Sequence, residues 1–417
     1  MYSWGNPAMD TFPYSTLLRS LDGKADDLTR LLINWADVNT GSHNTNGLTT
    51  FLKLLRKAFM RLPGKVETIS LPAQTILRPE GKVQFPLGKA LSIRKLIKAP
   101  VRILLTIHYD TVYAADHSFQ KCEEIDRNTL KGPGVADAKG GLLVLLEALK
   151  LFEDSPWSGR ICWEALIIPD EEVGSVGSAP IILEAAKRND LALVFEPALP
   201  DGSLVGSRKG SEVYSAIIKG RAAHAGRNPE HGRNAIHAMA NFIVQMGDAF
   251  APHPGIVLNV GETLGGGAVN VVPDMAYFRF NIRTSGPDDQ VLVNMVIGNL
   301  INNLNQIDGL NIEINRDSSR PPKVIDRKTQ DLLNHFASCG EHIGIRLKWG
   351  HSGGASDANI IASAGVPAVD GLGVRGGGLH SPDEYVLKDS ILERIKLTAL
   401  FLMKMAREDI EPPVSHQ

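Results

Sequence analysis

His108, Asp110, Asp137, Glu171, Glu172, Glu196 and His380 are the residues of this chain that could do chemistry together. His108-Tyr109-Asp110 follows the apolar run Val101 to Ile107. Asp137 stands in Gly-Pro-Gly-Val-Ala-Asp-Ala-Lys-Gly-Gly, just ahead of a helix-like stretch. Asp170-Glu171-Glu172 follows Ala165 to Ile168, and Glu196 follows Leu191 to Phe195. His380 lies in Gly-Gly-Gly-Leu-His-Ser-Pro. Histidines and carboxylates at strand ends suit two hard-to-borderline metal ions and a water to be activated.

Each signal has a plainer alternative. His108 and Asp110 are two apart in extended chain, so their side chains can point the same way. A metal-bound histidine and its orienting carboxylate have this spacing, and so does a buried pair at a strand end. Asp137 could be a helix N-cap. Glu171 and Glu172 are adjacent and diverge, so one can ligate while the other faces substrate as a general base. Three consecutive carboxylates also suit a solvated loop, although the small residues from Gly174 to Ser178 leave room above them. Glu196 could be a solvated strand terminus and His380 an exposed bystander. Their joint position at carboxyl ends of strands, where wound α/β sheets place sites, favours the shared role.

The elements that must position these residues read as follows. Leu28, Leu31, Leu32 and Trp35, then Leu48, Phe51, Leu54, Leu55 and Phe59, repeat at helical spacing within 26–62. Val101–Ile107, Ile161–Ile168 and Leu191–Phe195 are short apolar runs that suit strands covered on both faces. Gly140–Phe152 and Ala179–Arg188 are helix-like between them. This alternation predicts a wound α/β layer with a mixed or parallel sheet. Near residue 210 the pattern changes to strand 212–219, helix 234–247, strands 256–262 and 275–283, helix 288–305 and strand 310–314. That order is a split βαβ, or ferredoxin-like, α+β sandwich. The chain is therefore divided into a catalytic domain at 1–209 and 321–417, with an inserted domain at 210–320. Ser318–Pro322 is the expected return hinge. A helix at 327–343, a Gly-rich loop at 350–354, a strand at 366–369 and a helix at 390–406 complete the reading. Residues 66–100 carry no usable pattern.

The bulk composition agrees. A chain of 417 residues has two domains as its prior. Its net charge of −2 offers no basic field for nucleic acid or an anionic membrane. Cys122, Cys162 and Cys339 make neither a disulfide framework nor a paired metal motif, so a reducing compartment is expected. Met1–Leu21 lacks the pattern of a signal peptide, and no apolar run reaches the ~20 residues of a membrane span. A cytoplasmic protein is the expectation.

These motifs resemble the co-catalytic zinc family of aminoacylases, N-acyl-amino-acid deacylases and carboxypeptidases. The resemblance rests on His-Tyr-Asp-Thr-Val (108–112), Gly-Pro-Gly-Val-Ala-Asp-Ala-Lys-Gly-Gly (132–141), Asp-Glu-Glu-Val-Gly-Ser-Val-Gly-Ser (170–178), Phe-Glu-Pro (195–197) and His-Ser-Pro-Asp-Glu-Tyr (380–385). Gly-Arg-Ala-Ala-His-Ala-Gly (220–226) and Gly-Arg-Asn-Ala-Ile (232–236) add to it. The Gly-Pro-Gly turn with Gly-Gly-Ala-Ser-Asp-Ala (353–358) is most similar to the glutamate-releasing carboxypeptidase branch. The resemblance implies two zinc ions bridged by Asp137, with His108 and Glu196 completing one site and Glu172 and His380 the other. Cobalt or manganese could occupy the same ligands. It further implies Glu171 as general base and acid, Asp110 as the residue orienting His108, and His224 reaching the active site of a partner subunit. A homodimer built through 210–320 follows. Asn270, Arg283 and Arg320 match substrate-contacting positions, and a guanidinium would bind the substrate carboxylate; a surface ion pair is the alternative for each arginine.

The implied activity is hydrolysis of an amide bond beside a free carboxylate, in an N-acyl amino acid or short peptide. Carboxypeptidase action with a glutamate-like leaving residue is favoured, while deacetylase, desuccinylase and dipeptidase activities stay open. A serine hydrolase is a distant second reading, because Gly350-His351-Ser352-Gly353-Gly354 fits a nucleophile elbow with Asp370 and His380 in the right order. A non-catalytic binder on the same scaffold is a third.

Overall fold

Val101–His108, Ile161–Ile168 and Leu191–Val194 lie side by side and parallel, with Val101–His108 in the middle. Every residue of the middle strand except Arg102 is buried. Strands covered on both faces need apolar residues throughout, which is why these runs lack alternation. Ile103, Leu105 and Ile107 join one core with the helices Lys139–Glu153 and Asp389–Arg407. Leu104 joins a second core with the helices Ala179–Arg188 and Asp357–Ser363. Two antiparallel strands, Lys65–Ser70 and Lys89–Lys95, extend one edge, and Ala368–Val369 adds a parallel strand at the other. The result is a six-stranded mixed sheet with helices on both faces. This computed structural model describes residues 13–413. The expectation that Met1–Leu21 lacks a signal peptide falls largely on residues 1–12, which lie outside the described residues.

Between Gly210 and Arg320 the chain builds a second, fully antiparallel sheet. Its spatial order is Ile256–Gly265, Met275–Thr284, Gly210–Lys219, Asn311–Arg320, with helices Ala235–Phe250 and Pro287–Asn305 packed against it. Alternation along Met275–Thr284 shows why. Ala276, Phe278, Phe280 and Ile282 bury toward the helices. Tyr277, Arg279, Asn281 and Arg283 therefore point the other way; the last three line the cleft above the first sheet's strand ends, and Tyr277 buries with Leu77 and Ile217. The strand Leu204–Arg208 before this unit pairs in parallel with Trp349–Ser352 after it. Arg208 and Lys323 exchange two backbone hydrogen bonds of 2.9 and 3.0 Å, so the chain enters and leaves the inserted unit at adjacent points.

Three expectations need correction. The last strand of the inserted unit continues to Arg320, so Ser318–Arg320 pairs in the sheet and is not a hinge. Its polar residues do not read as a strand because Asp317 and Ser318 line a polar cleft rather than an apolar core. The loop expected at 350–354 is partly the strand Trp349–Ser352. Residues 66–100 hold the two edge strands and, between them, a hairpin of Gln74–Arg78 and Gly81–Phe85. This hairpin ties the two sheets together. The Gln74 amide donates to the Val173 carbonyl at 3.1 Å, Arg78 Nη1 donates to Glu262 at 3.1 Å, and Leu77 buries with Ile217 and Tyr277. Among the described residues, no helix is long and apolar enough to cross a membrane.

Candidate metal centre

The three parallel strands deliver their C-terminal residues to one edge. His108 ends the middle strand, Glu171 and Glu172 follow one neighbour, and Glu196 follows the other. His108 Nε2 lies 3.0 Å from Asp137 Oδ1 and 3.8 Å from Glu196 Oε1. His380 Nε2 lies 3.2 Å from Asp137 Oδ2 and 3.2 Å from Glu172 Oε2. Two groups result, His108–Asp137–Glu196 and Asp137–Glu172–His380, each with its ligand atoms within 4.8 Å of one another. Asp137 belongs to both, through different oxygens. Its carboxylate caps no backbone N–H of the following helix, so the N-cap alternative is set aside.

The donors fit metal ions. Glu196 Oε1 is buried without a hydrogen-bond partner among the described residues, as suits an oxygen that ligates a cation. Burial pushes the Glu172 carboxyl up to about 8, with Asp137 adding repulsion, and lifts Glu196 well above the usual carboxylate range. Burial also opposes charge on Asp137, but His108 and His380 hold it well below its ordinary value. Asp137 and Glu172 in turn raise the His380 imidazole to about 11. Three crowded carboxylates sharing two imidazoles are the electrostatic pattern that divalent cations relieve.

Local contacts fix these side chains. His108 Nδ1 bonds the Asp110 backbone carbonyl at 3.0 Å and lies 3.3 Å from Asp110 Oδ1, which accepts the Glu171 N–H at 3.1 Å. Asp110 Oδ2 accepts the Glu172 N–H at 3.2 Å and the Ser42 hydroxyl at 2.7 Å. One residue, through its carbonyl and its carboxylate, thus aligns a ligand and the backbone of both glutamates. Gly141 lets the helix start press against the Phe195 carbonyl, only 1.9 Å from where a Cβ would stand. His380 has a φ of 58°, a left-handed conformation found at constrained functional positions.

Glu384 was not singled out in the sequence, although it stands in the His380 motif. Its buried carboxylate accepts the N–H groups of Gly134, Ala136 and Asp137 at 2.9–3.0 Å and the Tyr113 hydroxyl at 2.8 Å. It therefore clamps the turn that presents the shared ligand. Nothing local in the sequence distinguishes it from a solvated acid. Glu384→Ala is expected to weaken metal binding about 10–100-fold. Competitive zinc titration against a chromophoric chelator measures this, with wild-type affinity as the contrary result.

Glu171 turns away from the ligands. Its carboxylate pairs with Arg320 Nη1 at 2.9 Å, and Arg320 Nη2 also donates to the Glu171 carbonyl and the Ser175 hydroxyl. Both residues line a cleft of about 770 Å³ between the two sheets, together with Glu172 and His380. Arg283 lines it too. Its Nε donates to Asn281 and its Nη1 approaches the Gly353 carbonyl at 3.4 Å, and no carboxylate among the described residues pairs with it. Burial and the nearby Arg320 lower its pKa from the ordinary arginine value. Arg279 and Asn281 belong to the same wall; strand alternation from Arg283 would have placed them there.

His224 and Asn270 are exposed and lie outside that lining. They are near each other, since the Ala225 N–H donates to the Asn270 carbonyl at 2.9 Å. The chain does not bring them to its own metal centre. The serine-hydrolase grouping is not assembled either. Asp370 pairs with Arg208 and accepts the Ser356 hydroxyl, the Ser352 hydroxyl contacts Arg208 and Gly354, and His380 faces Asp137 and Glu172. Ser352 ends a strand of a peripheral two-stranded pair, not a turn into a helix.

A histidine–carboxylate centre at the strand ends of a wound sheet, roofed by an inserted α+β layer, defines a metal-dependent hydrolase. Residues 104–404 match the profile of peptidase family M20/M25/M40, and the chain belongs to that family. The protein is an enzyme of the metallopeptidase and amidohydrolase type. Carboxypeptidase G2 of Pseudomonas sp. (strain RS-16) is 27% identical over 315 residues, covering 73% of this chain and 74% of that protein. A succinyl-diaminopimelate desuccinylase of Sulfurovum sp. (strain NBC37-1) is 28% identical over 335 residues, covering 75% and 85%. Solved structures share the fold. A tripeptidase from Staphylococcus aureus superposes with a TM-score of 0.67 at 21% identity over 92% of this chain and 99% of its own. A metallo-carboxypeptidase of the M20 family from Sulfolobus solfataricus does so at 0.67 and 18% identity over 90% and 98%.

Proposed function

We propose that this enzyme cleaves an amide bond next to a free carboxylate, releasing a glutamate-like residue from N-acyl amino acids or short peptides. The observation that carries the reading is the pair of ligand groups sharing Asp137, with the carboxylate-free Arg283 lining the same cleft. His108, Asp137 and Glu196 would hold one zinc ion, and Asp137, Glu172 and His380 the other. When bound, the ions supply Lewis acidity that polarises the scissile carbonyl and lowers the pKa of water toward ~7. Glu171 takes the proton of the attacking water and passes it to the leaving amine. Arg320 orients Glu171 and shares the wall where Arg283 receives the substrate carboxylate through paired hydrogen bonds.

The 210–320 unit is a dimerisation domain in this reading. Ile256–Gly265 is the outer strand of its sheet, with Val257 and Leu264 each 48% exposed. An exposed edge of this kind is a template for pairing with a second chain. His224 of one subunit then reaches the other's metal centre to steady the tetrahedral oxyanion, with Asn270 beside it on the substrate. A reducing cytoplasm is the location in this reading, which the three free cysteines support.

Hydrolysis of a panel of N-acyl amino acids and dipeptides tests the reading before chelation, after it and after zinc is returned. Activity is expected to vanish and recover, with N-acyl-glutamates fastest. Turnover that survives complete metal removal would sink the assignment.

A further inference from the structure

We propose that a second cavity, opening on Glu172, is the acyl subsite and takes an uncharged aliphatic or aromatic acyl group. This rests on the hydrolase reading above and names the part of the substrate which that reading leaves open. The cavity holds about 360 Å³ and is formed where residues 41–44 and 111–115 face Glu172 and Val173. Glu172, Val173 and His43 also line the cleft that contains Arg283. The two spaces therefore meet at a carboxylate of the metal centre.

An amide substrate has two halves that diverge from the reacting carbon. The half bearing the free carboxylate is drawn to Arg283. The acyl half needs a separate space that also reaches the metal centre, and this cavity supplies one. Its walls are Val112, Ala114, Ala115 and Val173, with no lysine or arginine among its lining. Ser42, His43, Asn44 and Thr111 add polar edges, and Glu172 of the second ligand group completes the lining. An acyl group carrying its own carboxylate would find no lysine or arginine there to pair with, so its burial would be unfavourable. A neutral group instead removes apolar surface from water. At the junction, the His43 ring lies 5.2 Å from that of Phe85 on the hairpin, tilted by 41°. An aromatic acyl group meets ring faces and edges there. The volume exceeds what an acetyl methyl fills and lies in the range of small-molecule pockets.

The test compares N-acetyl-, N-hexanoyl-, N-benzoyl- and N-succinyl-glutamate on the zinc-loaded enzyme, and repeats the series on Val112→Trp and Ala115→Trp. Both positions are exposed in the structure, so the larger side chains narrow the cavity without disturbing a core. Wild type is expected to favour the hexanoyl and benzoyl substrates over succinyl in kcat/KM. The hexanoyl-to-acetyl ratio should fall about tenfold or more in at least one variant, as discrimination in an apolar pocket allows. Hydrolysis of the panel with succinyl preferred, or with an unchanged ratio in both variants, overturns the subsite and leaves the hydrolase standing. No hydrolysis of any member overturns the proposed N-acyl-glutamate activity and the subsite with it.

Discussion

Glu171→Gln is expected to keep its metal ions and lose about a thousandfold or more of kcat, the upper part of the range for a general acid–base group. The separation arises from geometry. Glu171 belongs to neither ligand group, while its neighbour Glu172 belongs to one. A glutamine keeps the shape and can still meet Arg320, but it cannot take a proton from water. The affected step is shared by every substrate, so the loss should be uniform across an acyl panel and lie in kcat. Metal content by elemental analysis, with steady-state kinetics, decides the matter. Near-normal turnover in a metal-replete variant would remove Glu171 from the reaction. Loss of metal would show that its role is to hold the site.

Mixing two inactive variants is expected to restore activity. If His224 acts across a dimer, His224→Ala fails because each metal centre lacks its visiting imidazole, with an expected loss of about 10²–10³-fold for one oxyanion donor. Glu171→Gln fails for a different reason. In a heterodimer of the two, one site combines an intact Glu171 with an intact His224. Random exchange of subunits in a twofold dimer then returns about a quarter of the wild-type sites. Co-refolding or co-expression with distinguishable tags, followed by isolation of the mixed species, measures this. A mixed dimer no more active than its parents would place His224 outside the partner's centre. A monomer with full activity would discard the dimer altogether.

The parts of this protein that could be read from sequence are those whose environment is uniform along a local stretch. The apolar runs of 101–107 and 161–168 became strands because both faces are covered, and their ends announced His108, Glu171 and Glu172. The inserted unit was legible because one face of Met275–Thr284 packs on helices. The other face was not, since Arg279 and Asn281 answer to a cleft formed with residues far away. The strand through Ser318–Arg320 was missed for the same reason. The hairpin of Gln74–Phe85 depends on Val173, Glu262 and Tyr277, so no period within 66–100 could reveal it. Glu384 looks like a surface acid until three N–H groups converge on it. His224 and Asn270 entered only through the resemblance, because their proposed role requires a second copy of the chain.

The paired backbone hydrogen bonds between Arg208 and Lys323 bear on how such a protein could have been assembled. To the wound sheet, everything between those residues is a loop whose ends are already joined. Lengthening a closed loop adds little conformational cost, about 0.6 kcal/mol for each doubling. An ancestral sheet with its first ligand group complete before this junction could therefore acquire, exchange or lose the unit as a cassette. The metal ligands of the strand ends would be inherited from one lineage, while any new unit would have to supply again the contact that Arg320 makes with Glu171.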